Sequence, residues 1–277
     1  MVTRLEPLRL KGPKLKAFLE GLYFVYNRRE LVHPDPLIFL YDYDDPLDRE
    51  IAGLVSSCLA YGRVAQILKS VQKILEPMGS HPHRFLLRHS DLQDLFGDFK
   101  HRFTTGTQMA DLLAQTSKIL REQGSIEALM KDCLRMGGSL TGGLNLFARA
   151  LEPKRAGFSL LTAPEDGSAC KRLLLWLKWM VRRDDVDPGG WNVLSPRDLL
   201  MPTDTHIHHL ALQLGLTRRK QADLKTAIEI TQSFAALTPE DPTRYDFALT
   251  RFGIRTGLSL TELVELQESC APMKAQR

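Results

Sequence analysis

Apolar residues recur at helical spacing in segment after segment of this chain, whereas alternating strand-like runs are scarce. The clearest stretch spans residues 48–75, where the apolar positions are Ile51, Leu54, Val55, Cys58, Leu59, Val64, Ile67, Leu68, Val71 and Leu75. Gly62 interrupts this stretch, which therefore predicts two consecutive helices. The pattern as a whole predicts an all-α protein.

Turn residues and caps divide the rest of the chain into further helices. These are predicted over residues 82–88, 90–95, 109–122, 144–151, 204–214, 217–234 and 241–252, and one more begins after Ser125. Ser125 is a suitable N-cap, because a serine oxygen can accept a hydrogen bond from an amide of the first turn. Ser168 is predicted to cap another helix, whose residues 173–181 are apolar nearly all round. Such a helix is expected to be central and buried.

Composition places the chain among globular proteins. Its 277 residues, 43% of them hydrophobic and 25% charged, can bury one large or two smaller cores. No apolar run approaches the roughly 18 to 20 residues of a membrane-spanning helix, and residues 1–20 lack a secretory core. We therefore expect a cytoplasmic protein that does not bind membranes.

Cysteine spacing and net charge exclude only a few classes of function. The cysteines are widely separated, at Cys58, Cys133, Cys170 and Cys270, which argues against a disulfide framework and against a Cys-x-x-Cys metal site. The net charge of +4 is compatible with a polyanionic partner but too small to identify one. The function must therefore be read from individual residues.

Lys171 and Asp204 are the candidate catalytic residues. A lysine at a helix start is often simply solvated, but the helix dipole, the neighbouring Arg172 and an apolar wall would all disfavour the charged amine here. Only a neutral amine attacks an electrophilic carbon. Asp204 precedes an apolar-periodic helix and is a natural N-cap. A carboxylate held by backbone amides stays ionised and can also stabilise positive charge on a substrate.

The segment Pro202-Thr-Asp-Thr-His-Ile, followed by Leu-Gly-Leu216, resembles a motif of the helix-hairpin-helix DNA glycosylases, which include endonuclease III and the 8-oxoguanine glycosylases. In that superfamily the aspartate is catalytic. Residues 55–64 are similar to the stretch by which 8-oxoguanine glycosylases fill the gap left by an extruded base. Residues 114–129 resemble the helix before the hairpin, and residues 167–173 fall where the hairpin joins the lysine helix. The resemblance covers residues 48–256.

Two departures from the family pattern point to one branch of it. The usual Leu-Pro-Gly-Val-Gly hairpin is absent, and the spacing from Lys171 to Asp204 is longer than in endonuclease III. Both features resemble the archaeal 8-oxoguanine glycosylases and an uncharacterised bacterial relative with the signature Gly-Ser-x-Cys-Lys-Arg-Leu. The cysteine cluster that holds iron and sulfur in endonuclease III is missing, so no cofactor is expected.

The resemblance implies a fold, an activity and a partner. The fold would be two helical domains, residues 48–183 and residues 1–47 with 184–277, with the active site in the cleft between them. The activity would be that of a bifunctional DNA glycosylase and AP lyase, with 8-oxoguanine as the expected lesion. Lys171 would attack the sugar and Asp204 would assist it. The partner would be double-stranded DNA with a damaged base, bound by a monomer.

The resemblance also implies roles for eight further residues. Those expected to contact DNA are Tyr61, Arg63, Gly167, Ser168 and His206, and those expected to form the base pocket are Leu175, Ala248 and Phe252. The backbone amides at Gly167 and Ser168 would bind a phosphate. Simpler alternatives stay open for three of these residues. They are core packing for Phe252 and a solvated helix surface for Arg63 and His206.

Three other functions fit parts of the sequence. Asp204-Thr-His-Ile-His208 matches the Asp-x-His-x-His string of metal-dependent hydrolases, but too few residues follow to complete a barrel of roughly 200 residues or more. On a helix, His206 and His208 would also point about 200° apart. Ser168-Ala-Cys-Lys171 matches the Ser-x-x-Lys pattern of penicillin-recognising hydrolases, whose later motifs are absent. A non-catalytic helix-hairpin-helix DNA-binding protein remains open.

Overall fold

The computed structural model describes residues 11–152 and 158–254, apart from the side chains of residues 252–254. The described chain is mostly helical, and none of its helices is long and apolar enough to span a membrane. The α-helices are α1 (Pro13–Tyr26), α2 (Pro46–Cys58), α3 (Val64–Leu75), α4 (Pro82–Arg88), α5 (Leu92–Phe96), α6 (Gly106–Gln123), α7 (Ile126–Gly137), α8 (Leu140–Leu151), α9 (Lys171–Val181), α10 (Thr205–Gln213), α11 (Leu224–Ala235) and α12 (Asp246–Ile254).

Short elements complete the described fold. The 3-10 helices are Arg29–Leu31, Pro36–Asp42, Glu76–Met78, Pro164–Asp166 and Pro196–Asp198. Strands β1 (Lys100–His101) and β2 (Thr104–Thr105) form a small antiparallel hairpin, in which Lys100 pairs with Thr105 and His101 with Thr104. The expectation of a mostly helical protein is confirmed, and this hairpin is an addition that the apolar pattern did not indicate.

Caps decide where the helices begin and end. Ser125 caps α7 by accepting a hydrogen bond from the Ala128 amide at 3.0 Å, as predicted. Gly62 separates α2 from α3, also as predicted. The helix predicted over 217–234 begins only at Leu224, because Asp223 caps it. The predicted start at residue 241 was wrong as well, since α12 begins at Asp246.

The described residues form two hydrophobic cores, and the apolar residues of α9 belong to the first. The first packs apolar faces of α2, α3 and α6 to α9 together, with Trp176, Phe147 and Trp191 in mutual ring contact. The second joins α1, α10, α11 and α12. The domain division predicted at 48–183 stays a prediction.

A buried ionic network ties α9 to its surroundings. Lys178 and Arg182, near the carboxyl end of α9, are both almost fully buried. Lys178 Nζ lies 3.2 Å from Asp187 and 3.0 Å from Asp246 of α12. Arg182 contacts Asp187 and lies 2.9 Å from both Asp184 and Asp241. Tyr23 of α1 donates to Asp184 at 2.9 Å.

Ion pairing offsets the free-energy cost of burying these charges. Taking a charge out of water costs several kcal/mol unless it is paired and hydrogen-bonded. Burial alone would lower the pKa of Lys178, but Asp187 and Asp246 outweigh it and raise that pKa above its usual range. Lys178 is therefore held in its charged form. Losing Asp187 would take a counterion from both Lys178 and Arg182.

Glu50 fixes the beginning of α7 from inside the first core. Its carboxylate accepts hydrogen bonds from the Ile126 amide at 2.7 Å and from the Trp191 indole at 2.9 Å. The side chain is only 1% exposed. Burial raises the pKa of Glu50 to about 7, although these hydrogen bonds oppose the shift.

The raised pKa of Glu50 predicts a pH-dependent stability. The folded state binds a proton more tightly than the unfolded state, so stability falls as pH rises from about 4.5 to about 7. This contribution is roughly 3 kcal/mol in full. In urea titrations, the stability of wild type relative to Glu50→Gln should decline over this range, because glutamine does not titrate. Parallel curves for the two proteins would contradict the prediction, and the exposed Glu122→Gln is the control.

Gly53 allows α2 to approach α9 closely. A Cβ atom at this position would lie 2.7 Å from Cδ1 of Trp176 and 3.4 Å from Leu40. Trp176 is fully buried, so its indole has no open space to move into. A larger residue would force the two helices apart.

Gly53→Ala is accordingly expected to destabilise the protein by about 1 to 3 kcal/mol, the usual cost of overpacking. The matched control is Gly21→Ala in α1, where a Cβ meets nothing within 4 Å. Alanine should stabilise that helix by up to about 1 kcal/mol. Thermal or urea unfolding measures both changes, and equal effects at the two glycines would refute the close-approach argument.

Candidate active site

Lys171 and Asp204 meet at one wall of a cavity. Lys171 Nζ lies 3.2 Å from Asp204 Oδ2, and both side chains are about one-third exposed, at 34% and 29%. The cavity has a volume of about 230 Å³. Its lining residues are Asp35, Pro36, Ala60, Tyr61, Gly62, Val64, Ile67, Lys171, Leu175, Lys178, Trp179, Pro202, Asp204, His206, Asp246, Phe247 and Thr250.

An unusual turn places Lys171 as the first residue of α9. Cys170 precedes it with a φ of 51°, in the left-handed region, and its thiol is fully buried. Ser168 does not cap α9, contrary to the prediction from sequence. Its hydroxyl instead accepts from the Cys170 amide at 3.3 Å, and its backbone pairs with Asp223 in an isolated bridge. The N-cap position of α9 is therefore occupied by Cys170.

Asp204 has two functions, one for each carboxylate oxygen. Oδ1 accepts a hydrogen bond from the Ile207 amide at 2.8 Å and caps α10, as predicted. Oδ2 faces the amine of Lys171. Partial burial opposes ionisation, but the charge of Lys171 and the Ile207 amide outweigh it and lower the pKa of Asp204. The carboxylate is therefore ionised at neutral pH.

His206 and His208 of α10 lie in different surroundings. His206 lines the cavity, and its Nε2 is buried with no hydrogen-bond partner among the described residues. His208 is buried elsewhere and donates from Nε2 to the Arg219 carbonyl at 2.8 Å. Within residues 11–152 and 158–254, no three His, Cys, Asp or Glu side chains are grouped to hold a metal ion. The metal-dependent hydrolase therefore has no ligand set in this part of the chain.

The loop between α2 and α3 forms a second wall of the cavity. Tyr61 and Gly62 line it, and Arg63 beside them is exposed. The gap-filling role implied by the resemblance is wrong for Ser56 and Ser57, because both are fully buried within α2. In the same stretch, Gly62 and Arg63 of the loop after α2 are exposed, and the gap-filling role stays a prediction for them.

One of the two amides proposed to bind a phosphate before α9 is used within the fold. The Gly167 amide donates to the Pro164 carbonyl at 3.1 Å, closing a tight turn in which Gly167 has a φ of 69°. Ser168 pairs with Asp223 in the isolated bridge. The phosphate contact proposed for Ser168 stays a prediction.

The three residues predicted to form the base pocket differ in their position relative to the cavity. Leu175 lines the cavity, as expected. Ala248 is fully buried in the second core, and its neighbour Phe247 lines the cavity instead, because successive helix positions point about 100° apart. The side chain of Phe252 lies outside the described residues.

Sequence reasoning missed the polar floor of the cavity. Lys178 and Asp246 line it together, as does Trp179, which is also buried in the first core. Leu175 and Lys178 follow Lys171 by four and seven positions, the spacing of one helix face. That spacing could have identified Lys178 beforehand. Burial raises the pKa of Asp246, with Lys178 opposing the shift.

Comparison with known proteins identifies a family. The family described as Protein of unknown function (DUF2400) matches residues 35–255 of this chain. The matched range contains every residue that lines the cavity. No curated protein and no solved structure gives a significant match.

Two substitutions separate the capping role of Asp204 from its charge. Asp204→Asn keeps a side-chain oxygen for the Ile207 amide and is expected to change stability by less than about 0.5 kcal/mol. Asp204→Ala removes the cap and should cost about 1 kcal/mol. Urea unfolding measures both, with Ser125→Ala as the reference for losing a cap. Equal losses in the two Asp204 variants would show that the ion pair, not the cap, stabilises α10.

Proposed function

The chain belongs to the DUF2400 family, and from its candidate site we propose that it is a base-excision DNA glycosylase with AP-lyase activity. The observation that carries the proposal is the contact of 3.2 Å between Lys171 Nζ and Asp204 Oδ2 at the wall of the cavity. An amine beside an ionised carboxylate is the pair that the glycosylase resemblance requires. The helix-hairpin-helix fold and its two domains are part of the same proposal.

The size and lining of the cavity suit one extruded base. Its volume of about 230 Å³ is below the roughly 300 to 1,000 Å³ of pockets for drug-sized ligands. Trp179 and Phe247 supply aromatic surface, and Lys178 with Asp246 supplies a cation and a carboxylate for polar edges. Enzymes that act on bases read a flipped base through such stacking and hydrogen bonds. We propose 8-oxoguanine as the lesion.

The first chemical step forms a bond between Lys171 Nζ and C1′ of the nucleotide. The bond from C1′ to the base breaks, and the base leaves with the proton that the ammonium gives up. Positive charge builds on the sugar in the transition state. Asp204, ionised and on the same wall, stabilises that charge.

The second stage opens the sugar and cleaves the strand. A proton passes from the substituted amine to the ring oxygen, which leaves a protonated Schiff base between Nζ and C1′. Loss of a proton from C2′ then expels the 3′ phosphate by β-elimination. His206 lines the same cavity with its Nε2 unpaired among the described residues, so it is available to a substrate group.

The partner in this proposal is double-stranded DNA that contains a damaged base. The chain carries a net charge of +4, which favours a polyanion without fixing its sequence. Arg63 is exposed next to the cavity and can reach a phosphate or the opposite strand. We further propose that the protein acts as a monomer in the cytoplasm.

Borohydride trapping tests the proposal directly. Wild type should be captured covalently on a duplex containing 8-oxoguanine, because borohydride reduces the Schiff base to a stable amine. Lys171→Gln should give no capture while binding the duplex nearly as well as wild type. The matched control is Lys118→Gln, which removes an exposed lysine paired with Glu122 far from the cavity. Unchanged capture by Lys171→Gln would remove Lys171 from the mechanism.

Base release tests the carboxylate separately. Asp204→Asn retains the cap, so a loss of rate can be assigned to the lost charge. We expect a decrease of about 10²- to 10³-fold. Wild type that binds lesion duplexes but never releases a base from 8-oxoguanine, uracil or thymine glycol would instead indicate the non-catalytic DNA-binding module.

A further inference from the structure

A second cavity lies apart from the candidate active site. It is lined by residues from the carboxyl half of α1, from the segment that follows α1, from the loop after α9 and by Arg244. Its volume is about 830 Å³, within the roughly 300 to 1,000 Å³ of pockets that hold drug-sized ligands. The two cavities share no lining residue. A ligand of the second cavity is therefore not the base that the proposed function assigns to the first.

The side chain of Asn27 lines this cavity and has an unused hydrogen-bond acceptor. Asn27 is only 5% exposed. Its Nδ2 donates to Asp184 Oδ2 at 3.1 Å, which fixes the orientation of the carboxamide. Its Oδ1 is buried and accepts no hydrogen bond within the part of the chain that the structure describes. A buried acceptor without a donor is unfavourable, and an N–H group of a ligand would remove that penalty.

Arg244 brings an unused donor to the same cavity. Its guanidinium lies 3.9 Å from the centre of the Tyr23 ring, and Nη2 donates to Glu20 at 3.1 Å. Its Nε is buried and has no acceptor among residues 11–152 and 158–254. The wall of one cavity thus carries both an unsatisfied acceptor and an unsatisfied donor. A polypeptide backbone complements both, because each peptide group offers an N–H and a C=O.

Exposed charges of both signs surround the cavity. Arg28 and Arg29 are the exposed cations that line it, and Glu30 and Asp185 are the exposed carboxylates. Among the described residues, none of these four side chains forms an ion pair. A purely cationic ligand would meet two guanidinium groups, and a purely anionic one would meet two carboxylates. A ligand with charges of both signs finds a partner for each.

Phe24 adds an apolar surface to this polar lining. Its side chain is 76% exposed on α1, and the guanidinium of Arg28 lies 5.7 Å from the centre of its ring. Aromatic and arginine side chains are enriched where proteins bind one another. A nucleic acid strand is disfavoured here, because its phosphates would face the two unpaired carboxylates. The combined features therefore favour a polypeptide ligand.

We propose that this cavity binds a short segment of a partner protein that carries one basic and one acidic side chain. The backbone of the segment donates to Asn27 Oδ1 and accepts from Arg244 Nε. Its basic side chain pairs with the carboxylates at the rim, and its acidic side chain pairs with the guanidinium groups. The site goes beyond the proposed function, because it does not depend on the chemistry of Lys171.

Titration with model peptides tests the site on the full chain without DNA. The probes are short peptides with blocked termini that carry one lysine and one glutamate, in both orders and with glycine spacers of different length. At least one of them should bind saturably and shift the backbone amide NMR signals of Asn27 and Asp185. The corresponding peptides with two lysines or with two glutamates should bind about tenfold more weakly, because one charge loses its partner.

Variants at the rim separate specific binding from nonspecific contact. Asp185→Asn and Arg28→Gln each remove one exposed charge that has no ion pair among the described residues, so both should fold as wild type does. Each should weaken binding of the best peptide by about tenfold. Asn27→Ala should weaken it as well, with thermal unfolding as the check on folding. The matched control is Asp94→Asn, an exposed position on α5 outside both cavities, which should bind as wild type does.

Three results would overturn the inference. They are the absence of saturable binding by every mixed-charge peptide, equal binding of mixed-charge and like-charge peptides, and unchanged affinity in both Asp185→Asn and Arg28→Gln. A short single-stranded oligonucleotide that shifts the same amide signals would assign the cavity to nucleic acid and would also reject the peptide. None of these results bears on borohydride capture, so this inference and the proposed function can fail independently.

Discussion

The fold depends on the charges buried at the carboxyl end of α9. Lys178 and Arg182 are held by carboxylates from the following loop, from the loop before α12 and from α12 itself, and Tyr23 of α1 joins them through Asp184. Apolar contacts along α9 are not directional, whereas each ion pair requires a carboxylate opposite Lys178 or Arg182. They fix the helix whose first residue is the candidate nucleophile.

At the amino end of α9, the carboxylate of Asp204 has a structural role and a proposed chemical role. Asp204 holds the first turn of α10 with one oxygen and the Lys171 amine with the other. The backbone amide that makes the cap also keeps the carboxylate ionised. A functional reading and a purely structural reading of Asp204 are therefore compatible, and only measurements that separate charge from hydrogen bonding can distinguish them.

Much of the architecture could be predicted from sequence, because it follows from local patterns. Apolar spacing and caps such as Ser125 located most helices, and the motif around Asp204 located its cap. Long-range pairing could not be predicted. Ser168 pairs with Asp223, fifty-five positions further along the chain, and Asp246 pairs with Lys178 of another helix. The hairpin was missed because two-residue strands carry too little alternation to be recognised.

The buried network has a consequence for sequence variation at its positions. Lys178 is the cation that pairs with Asp246, whereas Asp187 pairs with both Lys178 and Arg182. A neutral residue at position 178 would leave the Asp246 carboxylate buried without that cation, and a neutral residue at position 246 would relieve the penalty. These two positions are therefore expected to covary among DUF2400 sequences.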